Sequence, residues 1–127
     1  MSNAARSLFV FGVYAVLAGL SLVLVPGIVL SVLGFPPAGD GWVRVVGVLA
    51  VCVGAFHVVS ARNELQPYFR ASVAVRLGFA LGLAGLVVTA QMPRALFLFA
   101  AVDALGAVWT AFALRNPREA RAAAAAV

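Results

Sequence analysis

Four side chains in this otherwise apolar chain are of types that could do chemistry: Asp103, Arg76, His57 and Tyr14. Asp103 lies nine residues after Arg94 and twelve before Arg115, inside an uncharged run that would place it near the middle of a membrane span. A lone carboxylate at that depth costs several kcal/mol or takes up a proton, so it calls for a partner. Arg76 is the natural one, because its long side chain can cover much of the distance from its own helix. His57, four residues before the end of its span, and Tyr14, a hydroxyl at similar depth, would complete the surrounding hydrogen-bond shell. Two uses of such a centre stand open. A buried ion pair can simply lock helix register; an ionisable group inside a membrane can also mark a binding or proton-handling site.

Other chemistries lack residues. Cys52 is the single cysteine and lies in an apolar run, which leaves no disulfide or C-x-x-C pair. Cys52 and His57 are five apart, pointing about 140° away from each other on a helix, and there is no second His, so no metal site and no cofactor is expected. Ser60, the hydroxyl nearest His57 in sequence, suits a bond to the carbonyl one turn back better than a nucleophile's role. No phosphate-binding loop is present, no residue is assigned as catalytic, and enzymatic function would rest on proton transfer by Asp103 and His57 alone.

The elements that must position these groups follow from composition. Of 127 residues, 65% are hydrophobic and 10% charged, with a mean hydropathy of +1.10, where a soluble domain carries about 25% charged residues. So few charges cannot coat a soluble surface, and the exterior must be lipid. A hydrocarbon core about 30 Å thick needs roughly 20 helical residues. Four segments qualify, roughly 7–25, 42–61, 71–90 and 94–114, with breaks at Pro26, at the Pro36-Pro37 and Gly39-Asp40-Gly41 cluster, at Pro67 and at Pro93. The fold expected is all-α: a single integral domain over 1–127, a four-transmembrane-helix bundle with a short interfacial helix between spans 1 and 2. Residues 27–33 supply that short helix, Pro26 suiting its first turn and Gly34 its end; the alternative is one long first helix kinked at Pro26. Gln91-Met92-Pro93 forces spans 3 and 4 into a tight hairpin. Residues 115–127 read as a frayed cytoplasmic tail.

The net charge of +5 comes from nine arginines and four acids, and the arginines sit at helix ends rather than in a stripe suited to nucleic acid. Arg6, Arg62, Arg70, Arg115, Arg118 and Arg121 fall on one side, with Arg44 and Arg94 opposite, which predicts both termini in the cytoplasm. Residues 7–25 are too long for the apolar core of a cleaved signal peptide.

Helical spacing sorts the faces. Ala100, Asp103, Gly106, Ala107 and Thr110 form one side of the fourth span, opposite Phe97, Ala101, Leu105, Val108 and Phe112, which face lipid. Arg44, Gly47, Val51, Gly54, His57 and Ala61 form the packing face of the second. In the third, Gly78, Gly82, Gly85 and Thr89 lie opposite Ser72, Arg76, Ala80 and Leu83. Membrane helices pack through small residues, so the glycine face of span 3 would serve either a homodimer or larger membrane complex, or packing within the chain. Trp42, Trp109 and Tyr68 sit where interfacial anchors do.

The runs PGIVLSVLGFPP, WVRVVGVLAVCVGAFH, ARNELQPYF and DALGAVWTAFAL together resemble the small four-span bacterial membrane proteins grouped with DoxX-like proteins. That resemblance covers most of the chain and implies a four-helix inner-membrane protein; the association of such proteins with redox or quinone systems maps onto no particular residue here. Small multidrug transporters are similar in length but use a Glu in the first span, which has no acidic residue in this chain. Fluoride channels of this size have little arginine bias, unlike this sequence. The sequence therefore points to a non-enzymatic accessory or scaffold protein that binds a partner or lipid around Asp103 and Arg76. The alternatives are a small-molecule or proton-coupled carrier centred on Asp103, and a membrane-embedded isomerase-type enzyme using Asp103 and His57.

Overall fold

The computed structural model describes residues 1–36, 40–116 and 125. Residues 37–39, 117–124 and 126–127, with Arg118 and Arg121 of the expected tail, lie outside them. Five helices follow in order: α1 Asn3–Leu24, α2 Pro26–Val32, α3 Asp40–Arg62, α4 Gln66–Val88 and α5 Leu96–Leu114. No strand occurs among the described residues. All but α2 are long and apolar enough to cross a membrane, as the four-span reading requires, and the chain is a small multi-pass membrane protein.

The helices start and stop where local chemistry dictates. The Ser2 hydroxyl caps α1 by accepting from the Ala5 amide at 3.1 Å. At Val25 the backbone leaves helical geometry, and Pro26 opens α2 in the first turn, where its missing N–H costs nothing. The break makes α2 a separate helix, not a kinked extension of α1. Gly34, at φ +73°, ends it: the Phe35 amide donates to the Leu30 carbonyl and the Gly34 amide to Ser31, the paired bonds of a Schellman motif. The same pattern ends α3 at Glu64 (φ 51°) and α4 at Ala90 (φ 56°). Pro67 marks a helix start rather than a gap. It occupies the first turn of α4, so that helix begins at Gln66, earlier than the span limit of residue 71 that treats the proline as a boundary.

The chain folds as two antiparallel pairs, α1 on α3 and α4 on α5, with α3 and α4 scarcely touching. The α1–α3 seam is built of glycine. A Cβ on Gly12 would meet the Gly54 carbonyl oxygen at 2.9 Å, and one on Gly54 would meet the Gly12 oxygen at 2.7 Å. Gly19 and Gly47 repeat the arrangement one heptad away at 2.6 and 2.7 Å. By contrast, a Cβ on Gly78, Gly82 or Gly85 would have nothing within 4 Å, and that face of α4 is exposed.

The two pairs meet at the end of the bundle that holds the N-terminus, the α3–α4 turn and the end of α5, here called the terminal end. Ala4, Ala5, Leu8, Ala61, Phe69 and Ala113 form an apolar core there. Above it the Ser7 and Thr110 hydroxyls, both buried, hydrogen-bond at 2.9 Å between α1 and α5. Glu64 ties the chain start to the turn, accepting from the Ser2 amide at 2.6 Å and from its hydroxyl at 2.7 Å.

Candidate functional site

A polar centre lies just above the terminal core. Arg76 is ten residues into α4 and Asp103 eleven residues from the end of α5, so each sits roughly 15 Å from the terminal ends of its helix at 1.5 Å per residue. Both are buried, 3% and 6% exposed. The short connection after α4 makes the two helices neighbours, and Arg76 Nε lies 3.8 Å from Asp103 Oδ1. That distance is an ion pair by charge but too long for a hydrogen bond.

The guanidinium is held by its surfaces rather than by its donors. Its Cζ stands 3.5 Å from the centroid of the Phe11 ring on α1, a cation–π stack worth up to about 2 kcal/mol when desolvated. Its Nη2 edge abuts Gly106 of α5, where a Cβ would collide with that nitrogen. Arg76 thus reaches across α5 to α1 and joins the two helix pairs. All three of its nitrogens, Nε, Nη1 and Nη2, are buried with no hydrogen-bond partner among the described residues.

His57, 5% exposed, lies against the same Phe11 ring, centroids 5.3 Å apart. Its Nδ1 is 2.8 Å from the Val53 carbonyl oxygen. A carbonyl only accepts, so Nδ1 carries the proton, and in the neutral ring Nε2 presents a lone pair. That Nε2 is buried and without a partner. The Tyr68 hydroxyl oxygen, 3.2 Å from Nδ1, is placed to share its proton, and the two rings meet edge to face. Tyr68 therefore serves the site as well as standing near a helix end. Tyr14 flanks Phe11, ring centroids 5.7 Å apart.

The structure thus places Arg76, His57 and Tyr14 against one aromatic ring that the sequence reading passed over, with Asp103 joined to it through Arg76. Phe11 shares a helical face with Ser7 and Tyr14, and that spacing was the available signal. Gly47 and Gly54 lie on the α1–α3 seam, away from the guanidinium, and Gly78, Gly82 and Gly85 face outward. No group of three or more metal-ligating side chains occurs among the described residues.

The centre opens chemically toward one end only. The buried polar side chains Ser7, His57, Ser60, Ser72, Arg76 and Thr110 lie in the half of their helices nearer the terminal end, and Asp103 lies just past the middle of α5, with none of them beyond it toward the other end. From Tyr68 in the first turn of α4, through His57, to Arg76 and Asp103, polar groups descend about half the depth of the bundle. Arg76 thus carries buried donors without acceptors and His57 Nε2 is a buried acceptor without a donor, and both side chains contact the Phe11 ring. Such a set can bind a small polar group and hold it away from water.

Compared with models of protein families, with curated proteins and with solved structures, the chain finds no match.

Proposed function

We propose that this chain is a non-enzymatic bacterial inner-membrane protein that binds a lipid or a lipophilic small molecule at the Arg76 centre, with both termini in the cytoplasm. One observation favours this reading: a fully buried guanidinium whose three nitrogens have no hydrogen-bond partner, beside a carboxylate 3.8 Å away. An ion pair whose task was register alone gains most by closing to hydrogen-bond contact, because leaving buried donors unmade costs the full desolvation of each group. A centre that keeps its donors free is suited to an acceptor that comes from elsewhere.

The carrier reading centred on Asp103 has less support. Alternating access calls for polar groups reachable from each face in turn, and among the described residues no buried polar side chain lies beyond Asp103 toward the end opposite the termini. The orientation rests on charge. Among the described residues outside the centre, Arg6, Arg62, Arg70 and Arg115 lie at the terminal end, against Arg44 and Arg94 at the other. Arg44 is further engaged by donating to the Val23 carbonyl at the end of α1. Arginine-rich ends stay in the cytoplasm.

The test is native mass spectrometry of the protein released from nanodiscs of bacterial lipid extract. Wild type should retain a bound lipophilic molecule under activation that strips bulk lipid; Arg76→Gln should not. Arg76→Lys, which keeps the charge, controls for folding. Retention that is equal in wild type and Arg76→Gln would overturn the reading. Reporter fusions at either terminus check the orientation.

A further inference from the structure

We infer that the group bound at this centre is a carboxylic acid, the head of a lipophilic acid whose tail lies along the exposed apolar face of α1. The inference rests on the binding function proposed above and specifies its ligand.

The donors and acceptors left unmatched define what fits. Arg76 offers N–H groups in a planar fork, which matches the oxygens of a carboxyl group. His57, with its Nδ1 proton committed to Val53, offers a lone pair at Nε2, which requires a donor. Arg76 and His57 both contact the Phe11 ring, so a single head group bearing an acceptor and a donor on neighbouring atoms would serve both. A protonated carboxyl group is such a unit: its carbonyl oxygen accepts from Arg76 and its O–H donates to His57 Nε2. An ester retains the acceptor and lacks the donor. An alcohol has the donor and no second oxygen for the fork.

Charge points the same way. Arg76 and Asp103 already balance at the centre, and a phosphate would bring one or two further negative charges into a buried site at high desolvation cost. A carboxylic acid enters neutral. The route is lateral, since Phe11 and Tyr14, the aromatic wall of the centre on α1, are each only half-buried and lie one side chain from the lipid. The apolar face around them, with Val10, Val13 and Leu17 exposed, is suited to an alkyl tail.

The experiment uses full-length protein in nanodiscs and [1-13C]oleic acid as probe, read as a carboxyl carbon NMR signal distinct from that in empty nanodiscs. Unlabelled oleic acid, methyl oleate, oleyl alcohol, dodecyl phosphate and sodium benzoate are then tested as competitors. The inference expects a distinct bound signal in wild type, displaced by oleic acid at concentrations at least tenfold below those needed for the ester or the alcohol. His57→Phe, which keeps a ring against Phe11 but no lone pair, should weaken binding of the acid about tenfold and erase its advantage over the ester. Displacement by benzoate as effective as by oleic acid would support the carboxyl chemistry and move its source to a soluble acid. Equal displacement by acid and ester, with loss in Arg76→Gln, would overturn the carboxyl assignment while leaving the binding site standing. Displacement by dodecyl phosphate alone would overturn it in favour of a phosphate head group. No distinct signal in wild type would overturn it as well, and the native mass spectra, which presuppose no ligand class, then decide separately whether the site binds anything. The wild-type comparison of acid with ester needs no variant and stands even if His57→Phe does not fold.

Discussion

Gly106→Ala separates the site from the fold. The glycine sits mid-helix in α5 and its missing side chain is the space that the Arg76 guanidinium occupies. A Cβ there would fall on Nη2 and stand 3.2 Å from Cζ, so the guanidinium has to leave the face of Phe11, from which it now stands 3.5 Å. It is the far end of a flexible side chain, and no backbone need move. The free-energy changes are small and opposed. Alanine in place of glycine in a helix interior gains about 0.5–1 kcal/mol, and loss of the buried stack costs up to about 2 kcal/mol. The net effect on stability is a loss of at most about 1.5 kcal/mol, with helix content unchanged. Ligand retention, by contrast, should fall at least tenfold, because the donor fork is displaced from the position it shares with His57. Stability is read by reversible unfolding in mixed micelles, and binding by the native mass spectra of the same preparation. Retention equal to wild type would show that the position of the guanidinium does not matter to binding. A loss above about 3 kcal/mol would show that Arg76 is fixed by the fold and that its stack on Phe11 is a structural clamp.

Gly54→Ala should cost about 1–3 kcal/mol in the same unfolding assay, since its Cβ meets backbone atoms of α1 at 2.7 Å and the helices must separate; Gly82→Ala, facing open space, should cost nothing and gain up to about 1 kcal/mol. Asp103→Asn should destabilise by about 3–5 kcal/mol by leaving a buried cation without its counter-charge, and the double variant Arg76→Met with Asp103→Leu should recover most of that loss, as a double-mutant cycle would record. Ser7→Ala should cost only about 1 kcal/mol, because Thr110 keeps its bond to the Gly106 carbonyl at 3.0 Å; a loss several times larger would assign the Ser7–Thr110 pair a greater part in joining α1 to α5.

Length and hydropathy made the four spans legible, because no other element satisfies 19 to 23 consecutive helical residues of this apolarity. The inward face of α5 was legible from a single residue: Asp103 cannot face lipid, and helical spacing then places Ala100, Ala107 and Thr110 beside it, all buried. Its nearness to Arg76 followed from the brevity of the α4–α5 connection. Spacing put Phe11 on the face of Ser7 and Tyr14, but its role was not legible, since an aromatic ring in an apolar run looks the same whether it faces lipid or underlies a cation. The α1–α3 seam was half legible. Gly47 and Gly54 stood out as a packing face, but the partners, Gly12 and Gly19, share their heptad spacing on another helix, and a match of spacing between two helices becomes evidence only once the two are known to pair. The G-x-x-x-G pattern of α4 was the more conspicuous signal, yet nothing in the described chain covers it.

The site exists because particular side chains are missing. A Cβ on Gly12 would stand 2.9 Å from His57 Cβ, and one on Gly106 would displace Arg76; each glycine therefore makes room for one member of the polar centre. Gly19 and Gly47, on the same seam one heptad further along, lie against each other's backbones and the side chains of Val51, Val23 and Leu22. The bundle is thereby divided along its axis. In the far half, glycine brings backbones together and contributes packing alone. In the terminal half, the same close approach sets His57 against Phe11 and leaves Arg76 a slot between two helices. The cost of burying a guanidinium and an imidazole nitrogen without partners is borne only there, where the apolar core of Leu8 and Phe69 and the Ser7–Thr110 bond hold the two helix pairs together. Polar groups so costly to bury persist where the surrounding packing over-determines their position, and in this chain that packing is the terminal core and the glycine seam that fix Phe11 between Arg76 and His57.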